Sequence, residues 1–406
     1  MKRPLMLWCS SHSTLSREEI PLFLEAGFRV VPLLTDFWTL QYDETLDTKI
    51  CSDWKQTVGL PPEIIEKLQS LSFCTDNGCL PFLQNEIDLL NKYIDVIYIT
   101  VLPNLAIRLS KVFDGMVIFR PFGHAGLNTY SNIAENHGTG LEELNGKANF
   151  HWVPILTTLQ EVESPAICIN ATHLGAFVTN ERLGRECWDS STSEPYVVET
   201  IPRINTQKYY LDIYKQYLKD HGHLPLKILG GNESRGGCLD DTTIVGYLDD
   251  MAYYSTAARA RISIYHGRSR YHVHYHPIEF MALGVPVLFH KDSAFAFEAK
   301  HFGITKEELL NCGMYESSEQ ANKMAGDALK DPSVAMEWSQ RQRIFMDHIF
   351  NRDAALSQAR WLKTRAQQFE IQRVQKSKFL IKQRSLATRI GKELKRAWNR
   401  YVVRHS

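Results

Sequence analysis

The sequence predicts an α/β protein of two domains, each a parallel β-sheet sandwiched by helices, facing one another across a cleft and followed by C-terminal helices. Three observations predict it. Six apolar, strand-like runs alternate with helical patterns in the first half, and the alternation starts afresh near residue 195. The runs are rich in Val and Ile without polar alternation, as expected of strands buried on both faces. A polar, turn-rich stretch, Glu181–Glu194, separates the two series. We therefore assign residues 1–190 to the first domain, 191–345 to the second and 346–406 to C-terminal helices.

The strands of the first series are Leu5–Cys9, Phe28–Leu34, Val96–Val101, Met116–Arg120, Trp152–Leu156 and Ala166–Asn170, with helical patterns at Arg17–Glu25, Pro62–Leu71 and Ile133–Leu144. The second series has strands at Tyr196–Ile201, Leu226–Leu229, Arg261–Tyr265 and Val285–Phe289, and helices at Gln207–His221, Ile244–Ala257 and Ile278–Leu283. After Pro332 the pattern is helical almost to the end. Leu386, Ile390, Leu394, Trp398 and Val402 recur every four residues with Lys and Arg between them, a basic amphipathic helix. Docking on this protein or a following domain accounts for such a helix. An anionic membrane surface is the alternative.

Composition narrows the class. Of 406 residues, 44% are hydrophobic and 23% charged, which excludes a disordered or collagen-like chain. No window approaches the roughly 18 apolar residues of a membrane span. The run Leu5–Cys9 is too short for a signal-peptide core and reads as a buried first strand, so a cytoplasmic protein is expected. Eight cysteines are scattered, and Cys74 and Cys79 have no second pair to complete a zinc site, which suggests a reducing compartment. Residues 371–406 hold 11 Lys and Arg against one acid, Glu393. The rest of the chain lacks the basic groove and interleaved aromatics of a nucleic-acid binder, so no nucleic-acid partner is expected.

Ligands of open α/β sheets bind beyond the carboxyl ends of the strands, so the cleft is the expected site. Two segments point there. In His276–Phe289, HPIEFMALGVPVLF, Pro277 suits the first turn of a helix, Glu279 sits in the same turn and Gly284 ends it. His276 and the free N–H groups of that helix start could together hold a phosphate, and Glu279 could accept hydrogen bonds from ribose. An acidic first turn capped by chance is an equal reading of these residues alone. In Ile228–Gly237, ILGGNESRGG, a strand ends in glycines that let the backbone approach a ligand closely. Asn232, Glu233 and Arg235 follow.

The segment EFMALGVPV resembles the nucleotide-binding segment of GT-B glycosyltransferases, whose glutamate binds the nucleotide ribose; the resemblance assigns Glu279 that role. Many such enzymes carry a second glutamate eight positions earlier, where this chain has Tyr271. His276-Pro277 instead resembles the His-Pro motif of CMP-sialic acid transferases, whose histidine contacts the CMP phosphate, and Ser293 matches a second phosphate donor of those enzymes. From its first strand to residue 400 the sequence resembles the WbbB-type family of retaining β-Kdo transferase modules of O-antigen synthases, which use CMP-β-Kdo. The resemblance implies a GT-B-like fold of two Rossmann-type domains. It also implies CMP held by His276, Pro277, Glu279, Ser293 and Gly231, and an oligosaccharide acceptor. The family nucleophile is the aspartate of a GGDES motif; here the position is Asn232. A carboxylate can attack an anomeric carbon and leave again, whereas a carboxamide is neutral and a poor nucleophile. This chain thus reads as a stalled variant or an idle module.

Kdo is a sugar acid, so an arginine facing the cleft is expected. The candidates are Arg120, Arg235, Arg268 and Arg270, with His124 and His266 nearby in sequence. Ser10, Ser11 and His12 follow the first strand and should face the acceptor side, His12 as a catalytic candidate. Glu161 or Glu163, after the strand ending at Leu156, could act as general base. His272, His274 and His276 alternate, as on one face of a strand, but a monophosphate leaving group can be neutralised without a cation, so no metal or other cofactor is expected. Further transferase domains, or the inner membrane surface through the basic helix, are additional expected partners.

Overall fold

The computed structural model describes residues 2–375 and 393, apart from 11–12, 34–57, 72, 76–77, 80–81, 124–127, 180–182, 185–186, 231–241 and 247. The first domain runs β1 (Leu5–Cys9), α1 (Ser13–Ala26), β2 (Arg29–Pro32), α2 (Pro62–Gln69), a short hairpin β3 (Cys74–Thr75) and β4 (Gly78–Cys79), α3 (Gln84–Tyr93), β5 (Val96–Thr100), α4 (Pro103–Val112), β6 (Met116–Arg120), α5 (Tyr130–Asn136) and β7 (Phe150–Trp152). Its main sheet has the order β2-β1-β5-β6-β7, all parallel. Strands β1, β5, β6 and β7 are buried along their whole length, as their unbroken apolar runs require.

The second domain runs β8 (Glu194–Thr200), α6 (Lys208–His221), β9 (Leu226–Leu229), β10 (Ile244–Gly246), α7 (Asp250–Arg259), β11 (Ala260–Ile264), α8 (His276–Leu283), β12 (Val287–His290), α9 (Ala294–His301), α10 (Lys306–Asn311), β13 (Met314–Tyr315), α11 (Ser318–Lys330) and α12 (Pro332–His348). The sheet order is β10-β9-β8-β11-β12-β13, again parallel. This is the doubly wound arrangement, whose crevice opens where the strand order reverses, between β8 and β11.

The expected strand Trp152–Leu156 is shifted to Phe150–Trp152, and three further elements differ from the sequence expectation for local reasons. Ala166–Asn170 forms turns rather than a strand, because Asn170 takes a left-handed φ of 47° and its amide donates to the carbonyls of Lys147 and Phe150. The helix expected over Ile133–Leu144 breaks into α5 and a 3-10 turn at Leu141–Leu144, separated by Gly138 at φ 71°. The helix expected from Ile244 begins as β10. Gly246 then turns left-handed, and the Asp249 carboxylate caps α7 by accepting from Ala252 N–H.

The polar connection is anchored rather than loose. Trp188 donates its backbone N–H to Leu283 and its indole N–H to Ala260, both in the second domain. At the other end, α12 packs on the second domain through Gln342, which bridges Val287 and Cys312. The chain then returns. Helix 352–375 lays Ala355, Leu356, Ala359 and Leu362 against Trp8, Phe23 and Tyr98, and Arg373 pairs with Asp95 at 3.1 Å. This part of the C-terminal segment is thus integral to the first domain's core. The basic amphipathic pattern beyond it lies outside the described residues. Among the described residues, no helix is long and apolar enough to cross a membrane.

Candidate functional site

The second sheet reverses its winding between β8 and β11, and the side chains at the carboxyl ends of these two strands meet there. Glu199, one residue from the end of β8, is fully buried. His266 follows β11 by two residues and donates from Nδ1 to Glu199 Oε1 at 2.6 Å. His276 opens α8 and donates from Nε2 to the same oxygen at 2.8 Å. The two imidazoles stack, with ring centroids 5.6 Å apart and 19° between planes. Burial alone would raise the Glu199 carboxyl, but the neighbouring His276 and the hydrogen bonds from both histidines hold it below the usual range. It is therefore an ionised acceptor that fixes both rings. The ligand atoms of these three side chains lie within 4.8 Å of one another, a spacing a divalent cation could also bridge.

The α8 segment supplies the rest of this wall. Pro277 stands in its first turn, and Gly284 ends it at φ 96°, a left-handed conformation that favours glycine. Glu279 is buried in the first turn. Beyond β12, Ser293 occupies the N-cap position of α9, fully buried, and among the described residues its hydroxyl has no hydrogen-bond partner. His276, Glu279 and Ser293 thus belong to two helix starts on one side of the sheet. Free N–H groups there favour an anion.

The remaining expectations separate. Ser10 is buried beyond β1 and accepts from Thr100 Oγ at 3.0 Å, tying β1 to β5 where the first sheet also reverses its winding. Ser11, His12, His124, Gly231, Asn232, Glu233 and Arg235 lie outside the described residues.

Arg120 is not a cleft residue. It is fully buried and donates to Glu19 Oε1 from Nη2 at 2.6 Å and to the Val153 carbonyl at 3.0 Å, and the Tyr98 hydroxyl donates to the same carboxylate. The strand places it under α1, where its charge needs a partner inside the core. Glu163 is also structural: it caps α5 by accepting from the N–H groups of Tyr130 and Ser131 and from the Ser131 hydroxyl, which leaves it no role as a base.

Glu161 is exposed and pairs across the domains with Arg270 at 3.3 Å. Arg268 pairs with Asp220 at 3.0 Å and also donates to Ser318, on the rim of a cavity beside β11. The alternating histidines do not form a strand face. His272 makes an isolated bridge to Gly123 of the first domain, His274 hydrogen-bonds to the Tyr265 hydroxyl at 2.9 Å and His276 starts a helix. Gly123 has φ 116°, and a Cβ there would meet the Tyr271 carbonyl at 2.9 Å, so the contact needs glycine.

Two residues escaped the sequence reading. Glu199 was legible only as a lone carboxylate inside the apolar run Tyr196–Ile201. Glu298, on α9, crosses to the first domain and accepts from Thr157 N–H at 2.9 Å, with His173 Nε2 at 3.5 Å. Burial raises its carboxyl to about 7, partly opposed by the Thr157 and Thr158 N–H groups. It carried no motif, because Thr157, whose N–H it accepts, is 141 residues away in the chain.

No protein-family model matches the chain, and no curated protein sequence matches it. Solved structures do. A sucrose-phosphate synthase from Thermosynechococcus elongatus matches with a TM-score of 0.56 and 16% identity, over 89% of this chain and 98% of that one. A glycosyltransferase from Rickettsia africae matches with a TM-score of 0.55 and 11% identity, over 90% and 99%. The Anabaena protein HepE in complex with UDP-glucose matches with a TM-score of 0.52 and 12% identity, over 88% and 98%. At these identities the likeness establishes the fold. The chain has the two-domain GT-B architecture, two parallel-sheet α/β domains with C-terminal helices.

Proposed function

We propose that this chain is a glycosyltransferase module that takes a nucleotide-activated sugar as donor. The observation that carries the reading is the buried His276, oriented by ionised Glu199 at the start of a Pro-led helix at the winding reversal, with Glu279 one turn in and the unpartnered Ser293 hydroxyl at the next helix start. Such a constellation suits a nucleotide: phosphate against His276, Ser293 and the helix N–H groups, ribose against Glu279. HepE, of the same architecture, is described in complex with UDP and with UDP-glucose, which supports a nucleotide-sugar donor.

The finer reading rests on the sequence resemblance. The donor is CMP-β-Kdo, the acceptor is a hydroxyl of a bacterial O-antigen or related surface oligosaccharide, and transfer retains the anomeric configuration. In that reaction a carboxylate at position 232 would attack the anomeric carbon as the bond to the CMP phosphate breaks. An acceptor oxygen would then displace the carboxylate while its proton passes to a base. Asn232 holds that seat with a neutral amide, so turnover is impaired while donor binding persists. The amide equally favours a second reading, an idle module that positions a glycan for neighbouring domains. Neither metal nor other cofactor has a part in this scheme.

Calorimetry with CMP, UDP and GDP tests the donor, with CMP expected to bind tightest. A UDP preference overturns the CMP assignment and leaves another nucleotide-sugar donor; absence of nucleotide binding with retained glycan binding favours the idle module. Restored Kdo transfer in Asn232→Asp would exclude the idle reading.

A further inference from the structure

Segment 265–275 joins the end of β11 to the start of α8, so it connects His266 to His276. Every residue of it is described, and none lies in a regular helix or strand. Second-domain contacts hold its flanks: the Tyr265 hydroxyl with His274 at 2.9 Å, and Arg268 with Asp220. Its tip is held by the first domain. His272 makes a backbone bridge to Gly123, and the Arg270 carbonyl accepts from Thr158 Oγ at 3.0 Å. The Arg270 side chain lies over the rings of Tyr271 and Phe297 and pairs with Glu161.

Both first-domain anchors are themselves fixed. The Gly123 carbonyl accepts from the Tyr130 hydroxyl at 2.6 Å. Tyr130 opens α5, its ring is buried edge-on against Phe119 and Trp152, and Glu163 caps that helix start. Thr158 belongs to the 3-10 turn Thr157–Glu161, which Glu298 fastens to α9 through the Thr157 N–H. A segment with no ladder of its own is only as ordered as its attachments make it, because each released anchor returns backbone freedom to the residues between. Loss of either anchor therefore loosens the chain between the two histidines that donate to Glu199.

We propose that segment 265–275 is a strap by which the first domain positions the His266–His276 wall of the second, with Tyr130 and Thr158 as positioning residues. The hydroxyl of Tyr130 acts through Gly123 and His272, and that of Thr158 through Arg270. Binding at the wall and contact at Gly123 are then coupled, and each favours the other by the same factor. The positioning belongs to the unliganded protein. Only the choice of a nucleotide as the wall's ligand rests on the proposed function.

The test uses the full chain and two mild variants. Tyr130→Phe removes a hydroxyl and keeps the buried ring; Thr158→Val removes the other hydroxyl and keeps the side chain's shape. Hydrogen exchange read by mass spectrometry should quicken about three- to tenfold across 265–276 in each, the loss of one hydrogen bond, and further in the double variant. Thr158→Ser, which keeps the hydroxyl, should exchange as wild type does. Faster exchange confined to α5 and the 3-10 turn, or no change at 265–276 in the double variant, overturns the proposal. Calorimetry with CMP supplies the second readout: the double variant should bind CMP about three- to tenfold more weakly, and CMP should slow exchange around Gly123 in wild type. If CMP binds wild type and double variant equally, the strap falls and the nucleotide reading stands. If CMP binds neither while the variants loosen 265–276, the nucleotide reading falls and the strap stands.

Discussion

Replacing Glu298 by Gln should flatten a specific part of the protein's pH dependence. The carboxylate is buried on α9 and reaches across the domain boundary to the N–H of Thr157, with its two oxygens at 2.9 and 3.0 Å. Burial raises its carboxyl from 4.5 to about 7. The folded protein therefore holds this proton more tightly than the unfolded chain. Below pH 4.5 the carboxyl is protonated in both states and its contribution is fully present. As pH rises from 4.5 to about 7 the contribution is lost, and above that it is level. The shift corresponds to about 3 kcal/mol. His173, 3.5 Å away, works in the opposite direction: burial lowers it to about 4, so its contribution is lost as pH falls from 6.5 toward 4. The difference between wild type and Glu298→Gln cancels the His173 part. Glutamine keeps an oxygen to accept from Thr157 and carries no charge. Urea unfolding should find the two proteins about equally stable at pH 5 and the variant more stable by about 2–3 kcal/mol at pH 8. An identical pH slope in both would refute the reasoning, because Glu298 would then ionise normally in the folded state.

Arg120→Met leaves the Glu19 carboxylate buried without its cation. It should lower unfolding free energy by about 3–5 kcal/mol while CMP affinity of the folded protein, measured by calorimetry, stays unchanged. A fall in CMP affinity with intact stability would return Arg120 to the cleft. Glu199→Gln removes the anion that orients His266 and His276, and CMP affinity should drop about tenfold, the loss of roughly one charge-assisted hydrogen bond. Gly123→Ala forces a side chain into the left-handed backbone that bridges to His272, and thermal unfolding should register a loss of about 1–3 kcal/mol.

The parts of the fold that were legible in the sequence are those where one local signal dominates. Unbroken runs such as Leu5–Cys9 and Val96–Thr100, short and rich in apolar residues, read as strands covered on both faces and form them, and HPIEFMALG carries its own start and stop signals. Misreadings fell where a glycine or a capping residue overrode hydrophobic periodicity, as at Gly138 and at Gly246 with Asp249. Arg120 was misjudged for another reason. A basic residue at the end of a buried strand looks the same in sequence whether it points to a cleft or to an acid on a covering helix. Only the packing of α1 over β5 and β6 brings Glu19 against it, across 101 residues of chain.

By itself, then, the sequence determined two parallel α/β domains and a Pro-led helix start at His276, because strand burial and helix capping act between residues close in the chain. The tertiary structure alone decided which charges meet. It brought Glu199 to His266 and His276, and Glu298 to Thr157, through sheet order and domain packing. The environment of an ionisable group is set by whatever surrounds it in space, and for these residues the surroundings come from strands and helices far apart in the chain.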